Sequence, residues 1–388
     1  MDRSYATVRG WGIMNYNRLV FLTCLWICFQ IHPLFACRYN IRETGFVDLG
    51  SDPYYFYGYV KMDTPEEISL NFNKILNSSF SDCNINAEMI NVDKQKDHEA
   101  LKYLSLWKIQ SFPAAVLVSP EGQSLVIEIE KESESFEKSL KSAINKVIFS
   151  RVREAIINEV IKAYGVILLI EGENELENEN YRKVASSAIE IIKLRMKMMV
   201  KSIEYPPVLI TLKPDSFSDE KILLWSLGLD ESVVKPHAAV FYGKARWIGP
   251  LMKAGEIEET NLVKILSVIG LDCECGLDVS WVAGTLLPLK WDQNRQAQVA
   301  GLLEFDPENP LVKLEVNRIL KMASSSYPGV PVMFADSSAV KSDPASDGYV
   351  VDEKKTYLKI PLYFTLGLAA LVIIAGLIII FKVKKPSS

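Results

Sequence analysis

Apolar and polar positions along the chain change period every few residues. Pro53 to Val60, PYYFYGYV, is an aromatic, β-rich run. DTPEE follows, with Thr64 or Asp63 as helix N-cap, Pro65 at the first helical position and acids in the first turn. Ile68, Phe72, Ile75 and Leu76 then recur at helical spacing. INAEMINVD predicts a second strand and HEALKYLSLWKI a second helix. After Pro113, Ala114 to Ser119 reads as a buried strand, SPEG puts Pro120 and Gly122 where a type I turn favours them, and Ser124 to Ile129 returns antiparallel. Phe136 to Val147 makes a closing helix, so the order is βαβαββα.

The same order is visible a second time. YGVILLIEG predicts a strand, Tyr181 to Val200 a helix, PPVLITLKP a strand and Asp219 to Leu227 a short helix. PHAAVFYGKARWIGP then repeats the proline, paired alanines, apolar strand and turn, which makes Pro236 the counterpart of Pro113. Leu262 to Ile269 closes this unit, which runs from about Ala163 to Gly270. Beyond it, FDPENPLVKLEVNRILKM predicts an amphipathic helix with Asn309 as N-cap and Pro310 at its first position. From Ala323 to Lys355 the chain is rich in Ser, Pro, Asp and Gly, as a solvated stalk would be.

Hydropathy at the two ends adds membrane-directed segments. Arg18 precedes an uncharged stretch from Leu19 to Ala36 that closes on Leu34, Phe35 and Ala36, the pattern of a secretory signal cut after Ala36. An uncleaved first span is the alternative. Met14 begins a compact version of this signal, so residues 1–13 can stem from an upstream start codon. Leu34 to Cys37 also resembles a lipoprotein box, although Phe35 is bulky for one. Ile360 to Phe381 holds 22 residues without a charge, enough at ~1.5 Å per residue to span a hydrocarbon core of ~30 Å. Lysines flank it on both sides, so its orientation follows from the signal, which leaves only KVKKPSS inside the cytoplasm.

The expected organisation is therefore a signal peptide over 1–36, domains over 37–150 and 151–275, a helical extension over 276–322, a stalk over 323–359, a transmembrane helix over 360–381 and a cytoplasmic tail over 382–388. The net charge of -5 contains no sustained basic stripe. Lys193, Arg195, Lys197 and Lys201 form the one basic cluster, on a single predicted helix, and nucleic acid is not expected as a partner.

Trp107, Ile109, Phe112 and Pro113, with Asn91 to Asp93 ahead of them, resemble the thioredoxin family: the spacing matches its positions before a cis-proline and the third strand. The resemblance covers roughly Tyr54 to Val147, and in the second unit it rests mostly on element order. It implies an α/β fold of two tandem thioredoxin-like domains. Thioredoxin chemistry needs a Cys-x-x-Cys pair at the start of the first helix, where the helix N-terminus lowers a thiol pKa. KMDTPEE and GENELENEN stand there instead, without cysteine. What the resemblance leaves is a recognition surface, in which the loop Ser111, Phe112 and Pro113 pairs with the backbone of an extended peptide, and Pro236 marks the second candidate.

After signal removal Cys37, Cys83, Cys273 and Cys275 remain, an even number that suggests disulfides in an oxidising compartment. A bridge between Cys273 and Cys275 would close a very small, strained and oxidising ring, as a thiol oxidoreductase needs. Two such thiolates could also hold Cu(I), with Met196, Met198 and Met199 in the same domain, although methionines on an amphipathic helix ordinarily fill a core. His98 and His237 read as solvated and loop or strand-edge residues, and Asn77 opens an Asn-Ser-Ser acceptor pattern. The leading expectation is a single-span membrane protein whose ectodomain binds or scaffolds a protein partner, one version being an accessory subunit of a membrane transport complex. No cofactor, metal or small-molecule substrate is expected; the alternative is an envelope thiol oxidoreductase or Cu(I)-handling protein using Cys273 and Cys275.

Overall fold

The computed structural model describes residues 39–50, 53–129, 135–199, 201, 203–271 and 285–326. The predicted signal segment, stalk, transmembrane helix and tail lie outside the described residues, as do Cys37, Cys273 and Cys275. Among the described residues no helix is long and apolar enough to cross a membrane.

The first sheet forms from β1 (Tyr54–Val60), β2 (Ile85–Asn91), β3 (Ala114–Val118) and β4 (Ser124–Ile127), in the order β2-β1-β3-β4. β1 and β2 are parallel, pairing Tyr54 with Ile85. β3 lies antiparallel to β1 with Val116 opposite Tyr57, and β4 antiparallel to β3. Alternation along β1 sends Tyr54, Phe56 and Val60 to one face, where α2 (Glu66–Ser79) and α4 (Phe136–Ile148) supply Phe72, Leu76, Leu140 and Ile144. Tyr57 and Tyr59 go to the other face, under a 3-10 turn at Glu99–Leu101 and α3 (Lys102–Leu106). Gly58 interrupts the aromatic run because the Phe72 ring leaves no room: a Cβ there would lie 2.6 Å from it. Each such buried aromatic or aliphatic side chain stabilises the fold by about 1.5–3 kcal/mol.

Pro65 is the N-cap of α2 rather than its first helical residue. Its extended ψ of 135° lets its carbonyl accept from Ser69, while Thr64 Oγ1 turns back to accept from Lys61 N at 3.0 Å.

The second sheet repeats the order as β6-β5-β7-β8, from β5 (Val166–Ile170), β6 (Val208–Leu212), β7 (His237–Tyr242) and β8 (Arg246–Lys253). β5, VILLI, is buried on both faces, as a central strand between two helical layers must be. α5 (Arg151–Lys162) and α7 (Lys221–Ser226) cover one face. α6 (Glu175–Met196) and α8 (Glu259–Ile269) cover the other. α6 begins ahead of the predicted Tyr181 because Asn174 caps it, accepting from Leu176 N and Glu177 N.

Two segments tie the sheets together. The first described stretch, with α1 (Ile41–Thr44), buries Tyr39, Ile41 and Val47 in the core of the second unit before the chain crosses to β1. Asn40 and Glu43 close a reciprocal capping box around α1. Arg42 donates to the carbonyls of Ala163 and Ile161 and so caps α5, a favourable place for a cation at a helix C-terminus. Gly45 and Gly243 meet backbone to backbone: at Gly243, with φ +54°, a Cβ would sit 2.4 Å from Gly45.

The second tie runs from Thr285 to Trp291. Trp247 N donates to Thr285 O on the second unit, and Tyr54 OH to Leu286 O on the first. Asn84 exchanges side-chain hydrogen bonds with Leu287 O and Leu289 N. α9 (Gln293–Leu303) and α10 (Pro310–Ser326) follow, packing Val299 and Leu303 on one face of the second sheet and Val312, Val316 and Leu320 on the other. Asn309 accepts from Leu311 N at the start of α10, the predicted cap.

Candidate functional site

In the first unit, the C-terminal ends of β1 and β2 and the start of β3 come together. Phe112–Pro113 is a cis peptide bond. Lys108, at φ 51°, ends α3, and Ile109 N returns to Leu104 O at 2.9 Å, so the chain leaves the helix and runs outward. Phe112 anchors the loop: it packs against the buried cluster that contains Tyr57, Tyr59 and Tyr103, and the Lys61 ammonium lies 4.8 Å from its ring centre. Gln110 and Ser111 are exposed. Among the described residues, no hydrogen bond engages the backbone of Gln110, Ser111 or Phe112.

Facing this loop is the turn from Lys61 to Pro65, where Met62 N donates to Asp93 Oδ2 at 2.8 Å. Met62 in this turn is 71% exposed. Trp107, 44% exposed, lies elsewhere: its ring donates to Ser124 Oγ, and Ser124 pairs with Val118 at the end of the sheet where β1 begins. The site thus combines unpaired main-chain groups with the exposed Met62 side chain, and its turn holds no thiol.

Pro236 does not make a second copy of this site. Among the described residues Phe112–Pro113 is the one cis bond, so the Lys235–Pro236 bond is trans. The facing loop also closes on it: Glu173 N donates to Val234 O at 3.0 Å, and a Cβ at Gly172 would come within 2.3 Å of that oxygen and 2.9 Å of the proline ring. Asn178, 2% exposed, fixes this loop by accepting from Gly172 N and donating to Gly172 O, each at 2.9 Å. Behind it, Glu171 is buried against Arg182 at 2.6 Å. The second unit fills with its own chain the place that the first unit leaves open.

Cys83, a disulfide and redox candidate, is a free thiol in the structure. It sits after α2, donates to Ser79 O at 3.6 Å, and burial pushes it up to about 11. A thiol so protonated is a poor nucleophile at neutral pH. His98 is the N-cap of the 3-10 turn: its Nδ1 accepts from Ala100 N and its Nε2 donates to Glu88 Oε1 at 3.2 Å. His237 Nδ1 donates to Lys235 O, and burial lowers its pKa. Met196 and Met199 pack against the core, whereas Met198 is 80% exposed. Among the described residues no group of three or more His, Cys, Asp or Glu could hold a metal ion. A cleft of about 290 Å³ beside β4 and α7 carries Glu128, Lys146, Asp219, Lys221 and Glu231, charges of both signs, together with Ser218, and no cysteine or histidine lines it.

Sequence reasoning missed three buried groups: Arg42, Arg153 and Asn178. Asn40-x-x-Glu43 is a capping-box spacing that could have revealed the helix carrying Arg42. Arg153 and Asn178 bond to backbone atoms that no local pattern announces.

Two four-stranded sheets, each with a parallel pair followed by an antiparallel hairpin and with helices on both faces, define an α/β protein of two thioredoxin-like units. No family model and no curated protein matches the chain. Among solved structures it is similar to the first two thioredoxin domains of Saccharomyces cerevisiae Eps1p, with 9% identity and a TM-score of 0.20 over 56% of this chain and 92% of that one. It is also similar to human ERp44 in a zinc-bound form, with 11% identity and a TM-score of 0.20 over 69% and 80% of the two chains. Full-length ERdj5 shows 7% identity at a TM-score of 0.20, over 56% of this chain and 29% of that one. Likenesses of this size say nothing about activity; the fold assignment rests on the strand order and register of the two sheets.

Proposed function

We propose that this chain is a membrane-anchored protein whose folded part lies outside the cytoplasm and binds a protein partner through its first thioredoxin-like unit, without thiol–disulfide catalysis. The observation that carries the reading is the outward loop Gln110–Ser111–Phe112, whose backbone groups have no partner among the described residues. An extended segment laid beside this loop would satisfy those groups as a strand satisfies a sheet edge, with the exposed Met62 as an apolar neighbour. The turn at Lys61–Pro65 supplies no cysteine for exchange, and Cys83 is held protonated. The signal segment and the uncharged run Ile360–Phe381 support the placement.

A photoreactive residue at position 111 of the full chain in intact cells tests the binding reading. It should yield discrete crosslinked partners, while the same residue at position 234, in the self-filled loop, should yield none. Equal labelling from both positions, or none from either, would remove the loop as a binding site.

In the same reading Cys37 is bonded to Cys273 or Cys275. Ile41 N donates to Leu271 O at 2.8 Å, and these residues stand four positions after Cys37 and two before Cys273. Chain lengths of ~3.3–3.6 Å per residue allow such sulfurs to meet.

A further inference from the structure

We propose that Asn77 carries an N-linked oligosaccharide, an inference that rests on the folded part lying outside the cytoplasm. Asn77-Ser78-Ser79 is the one Asn-x-Ser/Thr run in the 388 residues. The structure gives the asparagine room. Phe72, Ile75 and Leu76 turn one side of α2 to the core, whereas Asn73, Lys74, Asn77 and Ser78 are exposed. Asn77 Nδ2 donates to Asn73 Oδ1 at 3.2 Å, both in solvent, and giving up that contact costs the fold little. A glycan there displaces no packed group. It also leaves the binding loop open, because Asn77 lies eleven residues beyond Glu66, about 17 Å along the helix from the end that faces Gln110–Phe112.

The helix also fixes the order of events. A transferase must hold the asparagine amide and the hydroxyl two residues on at one place, yet residues two apart on a helix do not share a face. Transfer therefore precedes the folding of α2. In the step itself, Asn77 Nδ2 bonds to the anomeric carbon of a lipid-linked oligosaccharide diphosphate. The carbon–oxygen bond to the diphosphate breaks, the amide proton passes to a base of the transferase, the lipid diphosphate leaves, and no electrons are exchanged.

The test expresses the full chain, with its own leader, in a cultured eukaryotic secretory cell and reads gel mobility before and after a peptide-N-glycosidase, with mass analysis of the peptide that contains Asn77. A single enzyme-sensitive step is expected, lost in Asn77→Gln and Ser79→Ala and kept in Ser79→Thr. Asp230→Asn supplies the control, since it creates an Asn-Glu-Ser run in an exposed loop and should add a second step. If Asp230→Asn is modified while Asn77 stays bare, the Asn77 proposal fails and the extracytoplasmic reading stands. If neither is modified, both fail together. Modification of the purified, folded and unglycosylated chain by added transferase would overturn the order of events.

Discussion

Replacing Arg153 by methionine should separate the two units energetically. Its guanidinium, 1% exposed, donates to Val147 O at 2.6 Å, Pro288 O at 2.8 Å, Lys146 O at 2.7 Å and Ser150 Oγ at 3.0 Å. Those acceptors belong to the end of the first unit, to the segment Thr285–Trp291, and to the start of α5. Burial pushes the group down to about 10, so at neutral pH it remains a cation facing the charge of Glu220, which is itself buried and accepts from Ser150 and Val152. Methionine keeps much of the stem volume but orphans the carbonyls and leaves Glu220 without its counter-charge. Removing one side of a buried charged network costs about 3–5 kcal/mol, and that range already includes the lost hydrogen bonds, which do not add. On a stability of about 5–15 kcal/mol this is a large fraction, equivalent to a fall in Tm of about 10 °C. Urea unfolding should be followed by tryptophan fluorescence and far-ultraviolet circular dichroism together. The parent should unfold in one coincident transition and Arg153→Met in two, the first at clearly lower urea. A variant that unfolds in a single transition within about 1 kcal/mol of the parent would refute the role given to Arg153.

The remaining predictions address other parts of the molecule. Gly243→Ala combines a positive φ with a collision against Gly45; it should cost about 2–4 kcal/mol and expose the 39–49 segment to limited proteolysis, an effect that Gly255→Ala, in open space, should not share. Cys83, pushed up to about 11, should react with a disulfide reagent at pH 8 several hundred-fold more slowly in the folded chain than after unfolding, because only about one thiol in a thousand is ionised; labelling at the unfolded rate would contradict the burial. The raised thiol pKa favours the protonated form in the fold, so its stabilising contribution is full below about pH 8.5, the unfolded value, and is lost as pH rises through about 11; the stability difference between the parent and Cys83→Ala should shrink across that window. Peptide mapping without reduction should find Cys37 joined to Cys273 or Cys275 and Cys83 free, and a Cys37–Cys83 bond would overturn the pairing.

The core strands were legible in the sequence because their signals are local. The aromatic run of β1, the apolar β3 and β5, and the turn between β3 and β4 follow from alternation and turn chemistry, and they fall within a residue or two of their expected places. The Asn309 cap was local in the same way. Pro65 moved by one position because an extended ψ suits an N-cap as well as the residue before a helix. The repeat at Pro236 reported the start of β7 but not its surroundings, since Gly172 and Glu173, more than sixty residues away, close against Val234 and Pro236. The 39–49 segment left only the Asn40-x-x-Glu43 spacing as a trace and the 285–291 segment none, because short stretches without a period of their own are held by distant partners, such as Ala163 O for Arg42 and Arg153 for Pro288 O.

Those long-range ties also bear on where binding can occur. The hydrogen bonds from the 285–291 segment to the first unit land at one end of its sheet: on Tyr54, Asp82 and Asn84 at the beginning of β1 and β2, and on Glu121 in the turn between β3 and β4. The open loop lies at the other end of the same strands, beside Lys61 and Asp93. A seven-residue strand such as β1 spans about 20 Å, so the first unit is held firmly at one pole and presents its unpaired backbone at the opposite one. The second unit, filled by Gly172 and Glu173 at the matching place and carrying the N-terminal segment, α9 and α10 on its flanks, is built to hold and the first to present. A fragment of the first unit alone would keep the loop sequence but lose the anchorage of Tyr54 and Asn84, and so cannot stand in for the intact chain in a binding experiment.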